Sequence, residues 1–511
     1  MRWSDRASLI LGRGTTLGEL ADRLARVHGD RPMVAEVGGP ALTFGEAAER
    51  VEVMAAGLAA AGATPGERVV IATPNGYDQL LLCLAACRLG AVAVPVNSRM
   101  RPDEIGHVIR DSGAVVTVRS HAEVLPARGG SVPFVATDAA EVAAIFYTSG
   151  TTGVPKGARL THRALLGQTG AAALWPSGLR RDEAVFALPM AHIMGFAVAL
   201  ALACAGIPVY SLRRFDASEV LDAIESRRAT VFMGVPAMYR LLLEAGAEDR
   251  DLRSVRVWGS GADVMPPELA RRFQAMGATV TLPVLGASLG GAVFVEGYGM
   301  VETGGGVAAK LSLPGPRLLP GFVRRPFGDS LGFRLPPNRL RVVGDDGEDV
   351  ALGQVGELWV KGPHVLESYH GDAAATAAVR TPDGWLRTGD LARKGPFGVV
   401  AFAGRAKDVI KSGGYSVYAV EVERAMEGHP DVLEAAAVGL EDETLGQVPA
   451  VVVRLRDGAR TSERDLLDWG SEHLASYKAP RAARVVAELP RTGTDKVAKQ
   501  RLPALFDGSG G

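Results

Sequence analysis

The chain has 511 residues, of which 47% are hydrophobic and 22% are charged, and this length is too great for a single hydrophobic core. The 56 lysine and arginine residues nearly balance 57 aspartate and glutamate residues, so no net field attracts nucleic acid or an anionic membrane. The cysteines Cys83, Cys87 and Cys204 lack metal-type pairing with histidine, which favours reduced core residues of a cytoplasmic protein.

Short apolar strands alternate with helices through the first part of the chain. We predict strands at 68–72, 91–96, 142–147, 185–187, 208–211, 230–233 and 255–257, and helices at 15–26, 78–89 and 218–227. This alternation is typical of a parallel sheet covered by helices on both faces. The stretch 184–212 lacks charged residues and is long enough to cross a bilayer. Its prolines, glycines and histidine instead predict a buried loop, a core helix and a strand, with no integral membrane segment.

The composition changes after Pro314, where glycine, proline and arginine become dense as far as Pro337. Predicted strands at 340–343, 356–360 and 399–402 then indicate a small β-rich subdomain over 316–404. Beyond it, helices at 419–427 and 464–473 and strands at 433–438 and 450–455 predict a small α+β domain. The predicted fold class is therefore α/β, with a large N-terminal domain of stacked sheets over 1–404 and a C-terminal domain over 405–511.

The segment from Tyr147 to Gly157 reads YTSGTTGVPKG and follows a predicted buried strand. Its glycines let backbone N–H groups turn inward, and its hydroxyls add donors, so it can wrap a polyphosphate. These residues are Thr148, Ser149, Gly150, Thr151 and Thr152. Lys156 supplies a compact positive charge for phosphate oxygens. A flexible surface loop is the alternative, but the density of the pattern favours phosphate binding. The spacing is not Gly-Lys-Ser/Thr at the start of a helix, which disfavours a P-loop NTPase.

This string resembles the signature of the adenylate-forming superfamily, which contains acyl-CoA synthetases, peptide-synthetase adenylation domains and firefly-type luciferases. Further motifs along nearly the whole chain are similar to those of the family and occur in the family's order. Because no carrier-protein domain follows, the sequence is most similar to stand-alone acyl-CoA synthetases.

The segment from Glu296 to Gly306, EGYGMVETGGG, resembles the family's nucleotide and metal motif. Tyr298 can stack on a base, and Glu302 is a hard oxygen ligand suited to Mg²⁺ that bridges phosphates. The resemblance also implies nucleotide binding by Gly297 and Gly299, and a metal and catalytic role for Thr148 beside Glu302. The family's threonine before this glutamate is Val301 here. Loss of one hydrogen bond predicts a site weakened by about 1 kcal/mol, or about 3 kcal/mol if a group stays unpaired.

Two segments are similar to parts of the family's adenine and substrate sites. WGSGA at 258–262 resembles the stretch on which adenine lies, which implies roles for Gly261 and Ala262, although a glycine after a strand is also an ordinary turn. The histidine in PMAHIMGF at 189–196 is by default a core residue. The resemblance instead implies a pocket for the carboxylate substrate that is formed by His192, Gly195, Phe196, Trp258 and Gly304.

Three later motifs complete the resemblance. DGWLRTGD at 383–390 is similar to the motif whose final aspartate, Asp390, accepts both ribose hydroxyls. GRAKDVIKSGGY at 404–415 resembles the hinge before a mobile C-terminal domain. There the resemblance implies a nucleotide contact for Arg405, a pivot at Lys407, and passage of a pantetheine chain along Ser412, Gly413 and Gly414. PRTGTDKV at 490–497 resembles the catalytic-lysine motif, with Lys496 as the match and Asp495 in place of the usual glycine.

The activity that this resemblance implies is ATP-dependent carboxylate–CoA ligation with ATP, Mg²⁺ and coenzyme A. A carboxylate attacks the α-phosphate of ATP to give acyl-AMP, and CoA then takes the acyl group. The charge that develops in the first step is offset by Lys156, Lys496 and magnesium on Glu302. Apolar and very small pocket residues favour a fatty or other apolar monocarboxylic acid, with an aryl acid as the near alternative and malonate disfavoured. Delivery of acyl-AMP to a carrier protein, and a nucleotide-binding relative degraded at Val301 and Asp495, remain open alternatives.

One further string is better explained by local structure. FDAS at 215–218 is similar to the aspartate motif that binds an amino group in peptide-synthetase adenylation domains. It directly precedes a predicted helix, so we expect Asp216 or Ser218 to be a helix cap.

Overall fold

The computed structural model describes residues 14–39, 41–125, 132–148, 155–167, 169–174, 181–278, 280–282, 287–313, 330–413, 415–491 and 497–506. The backbone divides into two compact units, Met1–Arg339 with Val360–Leu386, and Leu340–Trp359 with Arg387–Gly511. The second unit includes strands that the sequence analysis assigned to the N-terminal domain. The predicted boundary at Arg405 stays a prediction.

Most of the helices bury at least one face, and several begin at a side-chain cap. They are α1 Leu17–His28, α2 Phe44–Ala60, α3 Tyr77–Arg88, α4 Pro102–Ser112, α5 His162–Leu166, α6 Ile193–Ala205, α7 Ala217–Arg227, α8 Pro236–Glu244, α9 Pro267–Met276, α10 Ala373–Val379, α11 Ala419–Glu427 and α12 Glu463–His473. At the start of α7 the Asp216 carboxylate accepts from the Glu219 N–H at 3.0 Å. Asp216 is thus a helix cap, as predicted, because its oxygen satisfies a free N–H of the first turn.

The strands are mostly short and rich in β-branched residues. They are β1 Pro32–Glu36, β2 Ala41–Thr43, β3 Arg68–Ile71, β4 Val92–Pro95, β5 Val116–Val118, β6 Val142–Thr148, β7 Lys156–Thr161, β8 Ala184–Phe186, β9 Val209–Ser211, β10 Val231–Gly234, β11 Val257–Gly261, β12 Val280–Leu282, β13 Ala287–Leu289, β14 Val293–Met300, β15 Gly305–Ser312, β16 Phe333–Arg334, β17 Arg339–Val343, β18 Val355–Lys361, β19 Ser368–Tyr369, β20 Leu386–Lys394, β21 Val400–Arg405, β22 Val409–Ser412, β23 Tyr415–Tyr418, β24 Val432–Asp442, β25 Gly446–Leu455 and β26 Ala482–Val485.

The first unit contains a six-stranded sheet in the order β19-β7-β6-β4-β3-β5. Strands β3, β4, β5 and β6 pair in parallel, as the alternation of strands and helices predicts. Strand β7 pairs antiparallel to β6, and β19 pairs antiparallel to β7. This antiparallel edge, which the sequence pattern did not indicate, carries the predicted phosphate-binding residues.

A nine-stranded sheet in the same unit has the order β16-β15-β14-β11-β10-β8-β9-β1-β2. Its central pairs, from β14 through β11, β10, β8 and β9 to β1, are parallel. Strands β14 and β15 form an antiparallel hairpin, and the EGYGMVETGGG segment contains the turn of this hairpin with the adjoining ends of both strands. The predicted α/β class is confirmed, and the sheets are mixed, with parallel centres and antiparallel edges.

The second unit contains a four-stranded sheet in the order β17-β18-β20-β21 and a second sheet in the order β23-β22-β25-β24, with β26 paired to β25. Its apolar core lies between the second sheet and helices α11 and α12. The buried side chains of that core include Val422, Met426, Val451, Val453 and Leu466. These are apolar positions of the predicted α+β block.

The uncharged stretch 184–212 folds as strand β8, a connecting segment, helix α6 and strand β9, as the sequence predicts. Among the residues that the structure describes, no helix has the length and apolar character needed to cross a membrane. The cysteines Cys83, Cys87 and Cys204 are buried. Burial raises the pKa of the Cys87 and Cys204 thiols to about 12, so both stay protonated and unreactive at neutral pH.

Candidate active site

Two of the predicted phosphate-binding residues, Thr148 and Lys156, lie where the paired strands β6 and β7 end and begin. Thr148 is the last residue of β6, Lys156 is the first residue of β7, and their Cα atoms are direct partners in the register. The ammonium of Lys156 lies 3.6 Å from a carboxylate oxygen of Asp372 and 5.8 Å from the centre of the Tyr369 ring. The remaining loop residues of the prediction, Ser149, Gly150, Thr151 and Thr152, lie outside the described residues.

Glu302 lies in the short turn Val301–Thr303 that connects β14 to β15, and its surface is only 9% exposed. The Tyr369 hydroxyl donates a hydrogen bond of 2.8 Å to Oε1 of this carboxylate. The backbone N–H of Leu366 donates to the Glu302 carbonyl at 2.7 Å. Because β19 also pairs with β7, the segment from Leu366 to Tyr369 joins Glu302 to the strand of Lys156.

The tyrosine hydroxyl of this arrangement is a permanent donor at neutral pH. Burial raises the pKa of Tyr369 above its ordinary value, and the charge of Glu302 raises it further. The neutral hydroxyl therefore keeps its proton and directs it toward the carboxylate.

The chemistry of Glu302 fits a magnesium ion that is shared with phosphate groups. Among the described residues, no cluster of three or more histidine, cysteine, aspartate or glutamate side chains forms a self-contained metal site. Mg²⁺ usually binds through one or two carboxylates, waters and substrate phosphates, so a single buried carboxylate is sufficient. Thr148 adds a hydroxyl on the hairpin that carries Lys156.

The predicted adenine residues lie where β11 and β14 run side by side. Gly261 and Gly297 are register partners, and a Cβ atom on Gly261 would stand 3.2 Å from the Gly297 carbonyl oxygen. Ala262 follows with φ of 67°, a left-handed conformation that costs a non-glycine residue roughly 1–2 kcal/mol. Tyr298 and Gly299 continue along β14. Close strand approach and local backbone strain therefore coincide at this strand end, and its predicted contact with adenine stays a prediction.

The other face of β11 meets the start of helix α6. Nδ1 of His192 accepts from the Met194 N–H at 3.5 Å, so this histidine caps α6. The side chain of Met194 lies 3.5 Å from the position of a Cβ atom on Gly261. Gly259 lies on the same face of β11, two residues before Gly261. A Cβ atom on Gly259 would stand 1.9 Å from the sulfur of Met233. Glycines and methionines thus form an apolar surface beside His192.

Two further glycines of the predicted pocket are required by close packing. A Cβ atom on Gly195 would stand 2.1 Å from the Pro189 carbonyl oxygen. Gly304 has φ of 59°, and a Cβ atom there would stand 2.6 Å from the Ala164 carbonyl oxygen. Close backbone contacts are therefore sufficient to explain why both positions are glycine.

The predicted pocket role of Trp258 is not supported by its surroundings, because the side chain is fully buried. Its ring packs edge-on against Phe273 at 5.1 Å and Phe232 at 6.0 Å. Successive side chains of a strand point to opposite faces, so Trp258 faces the core while Gly259 and Gly261 face α6. We assign Trp258 to the core.

Phe196 is also a core residue in the structure. It is buried, and its ring packs at 5.3 Å against Phe146 of β6 in an edge-on arrangement. This contact anchors α6 to the sheet that carries Thr148. Phe196 therefore joins α6 to the six-stranded sheet, and its predicted contact with substrate stays a prediction.

In the second unit, the predicted ribose residue Asp390 and the predicted nucleotide residue Arg405 are direct partners between β20 and β21. The Arg405 guanidinium lies 3.1 Å from Oδ1 of Asp390, whose side chain is 6% exposed. Lys407 follows in the short turn Ala406–Asp408. Two residues that were predicted from separate motifs thus form one ion pair.

Two described residues of the predicted pantetheine segment, Ser412 and Gly413, lie at the end of β22. Ser412 is buried, and Gly413 has φ of 55°, with a Cβ position 3.0 Å from the Leu445 side chain. The Tyr415 ring stacks on that of Tyr477 at 4.6 Å. Gly414 lies outside the described residues, and so does Lys496.

The residues that flank Lys496 are well anchored in the second unit. Arg491 bridges to Val497 and pairs with Glu434 at 2.7 Å. On the other side, the Lys499 ammonium lies 2.6 Å from Glu423 and 3.9 Å from Asp408 of the predicted hinge.

Tyr369 and Asp372 were missed by the sequence analysis. Their contacts with Glu302 and Lys156 arise from the pairing of β19 with β7, which joins segments that are distant along the chain. Periodicity reports local structure, so no signal of that kind was available to find them.

Known proteins resemble this chain over nearly its full length. The family model for AMP-binding enzymes matches residues 21–370, and that for the C-terminal domain of AMP-binding enzymes matches residues 421–496. A feruloyl-CoA synthase from Amycolatopsis sp is 35% identical, with 97% of this chain and 100% of that protein covered. A 2-succinylbenzoate–CoA ligase from Geobacillus kaustophilus is 33% identical over 91% of this chain and 93% of that protein.

Solved structures agree with these similarities. The o-succinylbenzoate CoA synthetase from Bacillus subtilis, in complex with its acyl-adenylate intermediate, superimposes with a TM-score of 0.81. It shares 27% sequence identity, and the match covers 96% of this chain and 98% of that chain.

Proposed function

The chain belongs to the family of AMP-binding enzymes, and from that membership we propose that it is an AMP-forming carboxylate–CoA ligase. The observation that carries the proposal is that Lys156 and Glu302 both contact Tyr369. The Lys156 ammonium lies 5.8 Å from the centre of the Tyr369 ring, and the Tyr369 hydroxyl lies 2.8 Å from the Glu302 carboxylate. A cation and a metal-binding carboxylate from different sheets are the groups that a polyphosphate substrate requires.

In the first half-reaction, an oxygen of the acid attacks the α-phosphorus of ATP. The bond to pyrophosphate breaks, and acyl-AMP forms. Lys156 and the Thr148 hydroxyl contact phosphate oxygens and stabilise the charge that develops on them. Magnesium, when it is bound at Glu302, neutralises phosphate charge. Lys496 is the proposed cation for the attacking carboxylate and the α-phosphate.

Each unit contains residues for which we propose a nucleotide-binding role. In the first unit, Gly261, Ala262 and the strand residues Gly297, Tyr298 and Gly299 are the proposed adenine surface, supported by the close approach of β11 and β14. In the second unit, Asp390 is the proposed acceptor for the ribose hydroxyls. A carboxylate has enough lone pairs to keep its ion pair with Arg405 and accept further hydrogen bonds.

In the second half-reaction, the thiol of coenzyme A attacks the acyl carbon of acyl-AMP. A carbon–sulfur bond forms, AMP leaves with the electron pair of the broken carbon–oxygen bond, and the thiol proton passes to solvent. Ser412, Gly413 and Gly414 are the proposed path of the pantetheine chain, and Lys407 is the proposed pivot. The tight left-handed turn at Gly413 supports this assignment, since it leaves little side-chain bulk at that point.

The acid is proposed to be an apolar monocarboxylic acid, with an aryl acid favoured over a fatty acid. Gly259 and Gly261 present flat backbone toward Met194 and Met233, and methionine adapts its shape to an aromatic ring. Two of the relatives are named for feruloyl and 2-succinylbenzoate substrates, which supports an aryl acid. His192 at the start of α6 supplies a polar group beside this surface.

The test is a panel of carboxylic acids scored for pyrophosphate release with and without coenzyme A. The panel contains arylpropenoic acids, benzoic acids, fatty acids of increasing length and malonate, with ATP and Mg²⁺ present throughout. We expect rapid release with an aryl acid and formation of its CoA thioester. If pyrophosphate release depends on a carrier protein instead of coenzyme A, the acyl acceptor is that carrier protein and not coenzyme A. No pyrophosphate release with any acid would contradict the proposed function.

A further inference from the structure

Tyr369 connects the two groups that the proposed function depends on most. Its hydroxyl donates to Oε1 of Glu302 at 2.8 Å, and its ring lies below the Lys156 ammonium at 5.8 Å. Both Tyr369 and Glu302 are buried, with 8% and 9% of their surfaces exposed. In a buried setting a hydrogen bond to a charged carboxylate is stronger than one between neutral groups.

The tyrosine is itself held from two sides. Its Cα is the register partner of Ala158 on β7, and its backbone N–H donates to the Thr376 hydroxyl at 2.9 Å. The next residue, His370, donates its N–H to the Gly157 carbonyl at 2.7 Å. The ring therefore has a fixed position relative to the hairpin that carries Lys156.

The geometry of the Glu302 carboxylate leaves one oxygen for another ligand. In the part of the chain that the structure describes, Oε1 accepts from Tyr369, and Glu302 makes no ion pair. A carboxylate with one oxygen tied by a neutral donor keeps its full charge and loses rotational freedom. Such a carboxylate is prepared to bind a cation through its other oxygen.

We propose that Tyr369 is a positioning residue for metal and phosphate binding. Its hydroxyl fixes Oε1 of Glu302, which leaves Oε2 as the oxygen that would hold magnesium when a metal–nucleotide substrate binds, and its ring holds Lys156 by a cation–π contact. This inference rests on the proposed function, because it assumes that Glu302 meets a metal–nucleotide complex. It adds a role for a residue that does not itself touch the reacting atoms.

The test replaces Tyr369 with phenylalanine, which removes the hydroxyl and keeps the ring. Binding of Mn²⁺ to the protein with α,β-methylene-ATP is measured by the loss of the free-Mn²⁺ electron paramagnetic resonance signal. Loss of a hydrogen bond to a charged group predicts binding weakened by about tenfold. In an active preparation, the Mg²⁺ concentration for half-maximal pyrophosphate release should rise by a similar factor, with the KM for the acid unchanged.

Tyr239→Phe is the matched control. It also removes a buried tyrosine hydroxyl, which donates to the Gly259 carbonyl at 2.7 Å, but it lies in the core. It should lower the melting temperature and leave Mn²⁺ binding unchanged, whereas Tyr369→Phe should shift Mn²⁺ binding. A purely structural role for Tyr369 would give both variants the same pattern, and that result would overturn the proposal.

Two further variants separate the possible outcomes. In a Glu302→Gln background, Tyr369→Phe should weaken Mn²⁺ binding no further, because the carboxylate that it positions is gone. If Tyr369→Phe does not fold, Thr376→Val removes the hydroxyl that accepts from the Tyr369 backbone N–H and should weaken binding in the same direction. Unchanged Mn²⁺ affinity in the folded variant overturns the positioning role while leaving the proposed ligase activity intact. A wild-type protein that binds no Mn²⁺–nucleotide complex overturns both.

Discussion

Replacing Gly259 with alanine tests whether the glycine–methionine surface on β11 is the wall of the acid pocket. A Cβ atom at this position would stand 1.9 Å from the sulfur and 2.4 Å from the terminal carbon of Met233. Both distances are far below ordinary contact, so the methionine must move. Gly261, two residues further along the same face, provides the comparison, because its Cβ atom would meet nothing closer than 3.2 Å.

The size of the effect follows from overpacking. One added methyl group in a filled site costs about 1–3 kcal/mol of unfolding free energy, while Gly261→Ala should cost less than about 1 kcal/mol. Met233→Ala opens the space that the new methyl group needs. The double variant Gly259→Ala with Met233→Ala should therefore be more stable, by about 1 kcal/mol or more, than the sum of the single losses predicts.

The assays are urea unfolding and steady-state kinetics with the best acid from the panel. Movement of Met233 into the pocket should raise the KM for the acid in Gly259→Ala and leave the KM for ATP nearly unchanged. Additive stability losses, within about 0.5 kcal/mol, would show that Met233 does not oppose the new methyl group. An equal rise in both KM values would place this face outside the acid pocket.

Three other predictions concern separate parts of the protein. Val301→Thr should give equal or higher pyrophosphate release, and a large loss would mean that the site is built around the valine. Lys496→Ala should abolish pyrophosphate release yet convert supplied acyl-AMP to acyl-CoA, whereas Lys407→Pro should show the reverse. Equal damage to both half-reactions would contradict the proposal that Lys496 serves the first half-reaction and the pivot at Lys407 the second. Burial lowers the pKa of His162 to about 4, whereas a histidine of the unfolded chain has a pKa of about 6.5. The contribution of neutral His162 to the free energy of unfolding is therefore fully present above pH 6.5 and is lost as the pH falls toward 4. Urea unfolding should show that the free energy of unfolding falls by up to about 3 kcal/mol across that pH window. His162→Asn keeps an acceptor for the Leu17 N–H and should remove most of this pH dependence. An unchanged pH dependence in the variant would assign the effect to other groups.

The sequence by itself determined most of the local structure and the family. Predicted strands and helices match the observed ones within a few residues, as at β3, α3 and α11, because apolar periodicity reflects which face of an element is buried. The resemblance to the adenylate-forming superfamily is confirmed by the two family matches. The helix cap at Asp216 was predictable for the same reason, since a cap depends only on neighbouring residues.

The tertiary structure decided which of the predicted residues meet. Phosphate binding was predicted at Lys156 and magnesium binding at Glu302, but only the pairing of β19 with β7 brings both to Tyr369, a residue 67 positions beyond Glu302. Trp258 shows the opposite case, because strand alternation turns it into the core while its glycine neighbours face α6. Local patterns determine what an element is, whereas long-range strand pairing and the choice of face determine what it contacts.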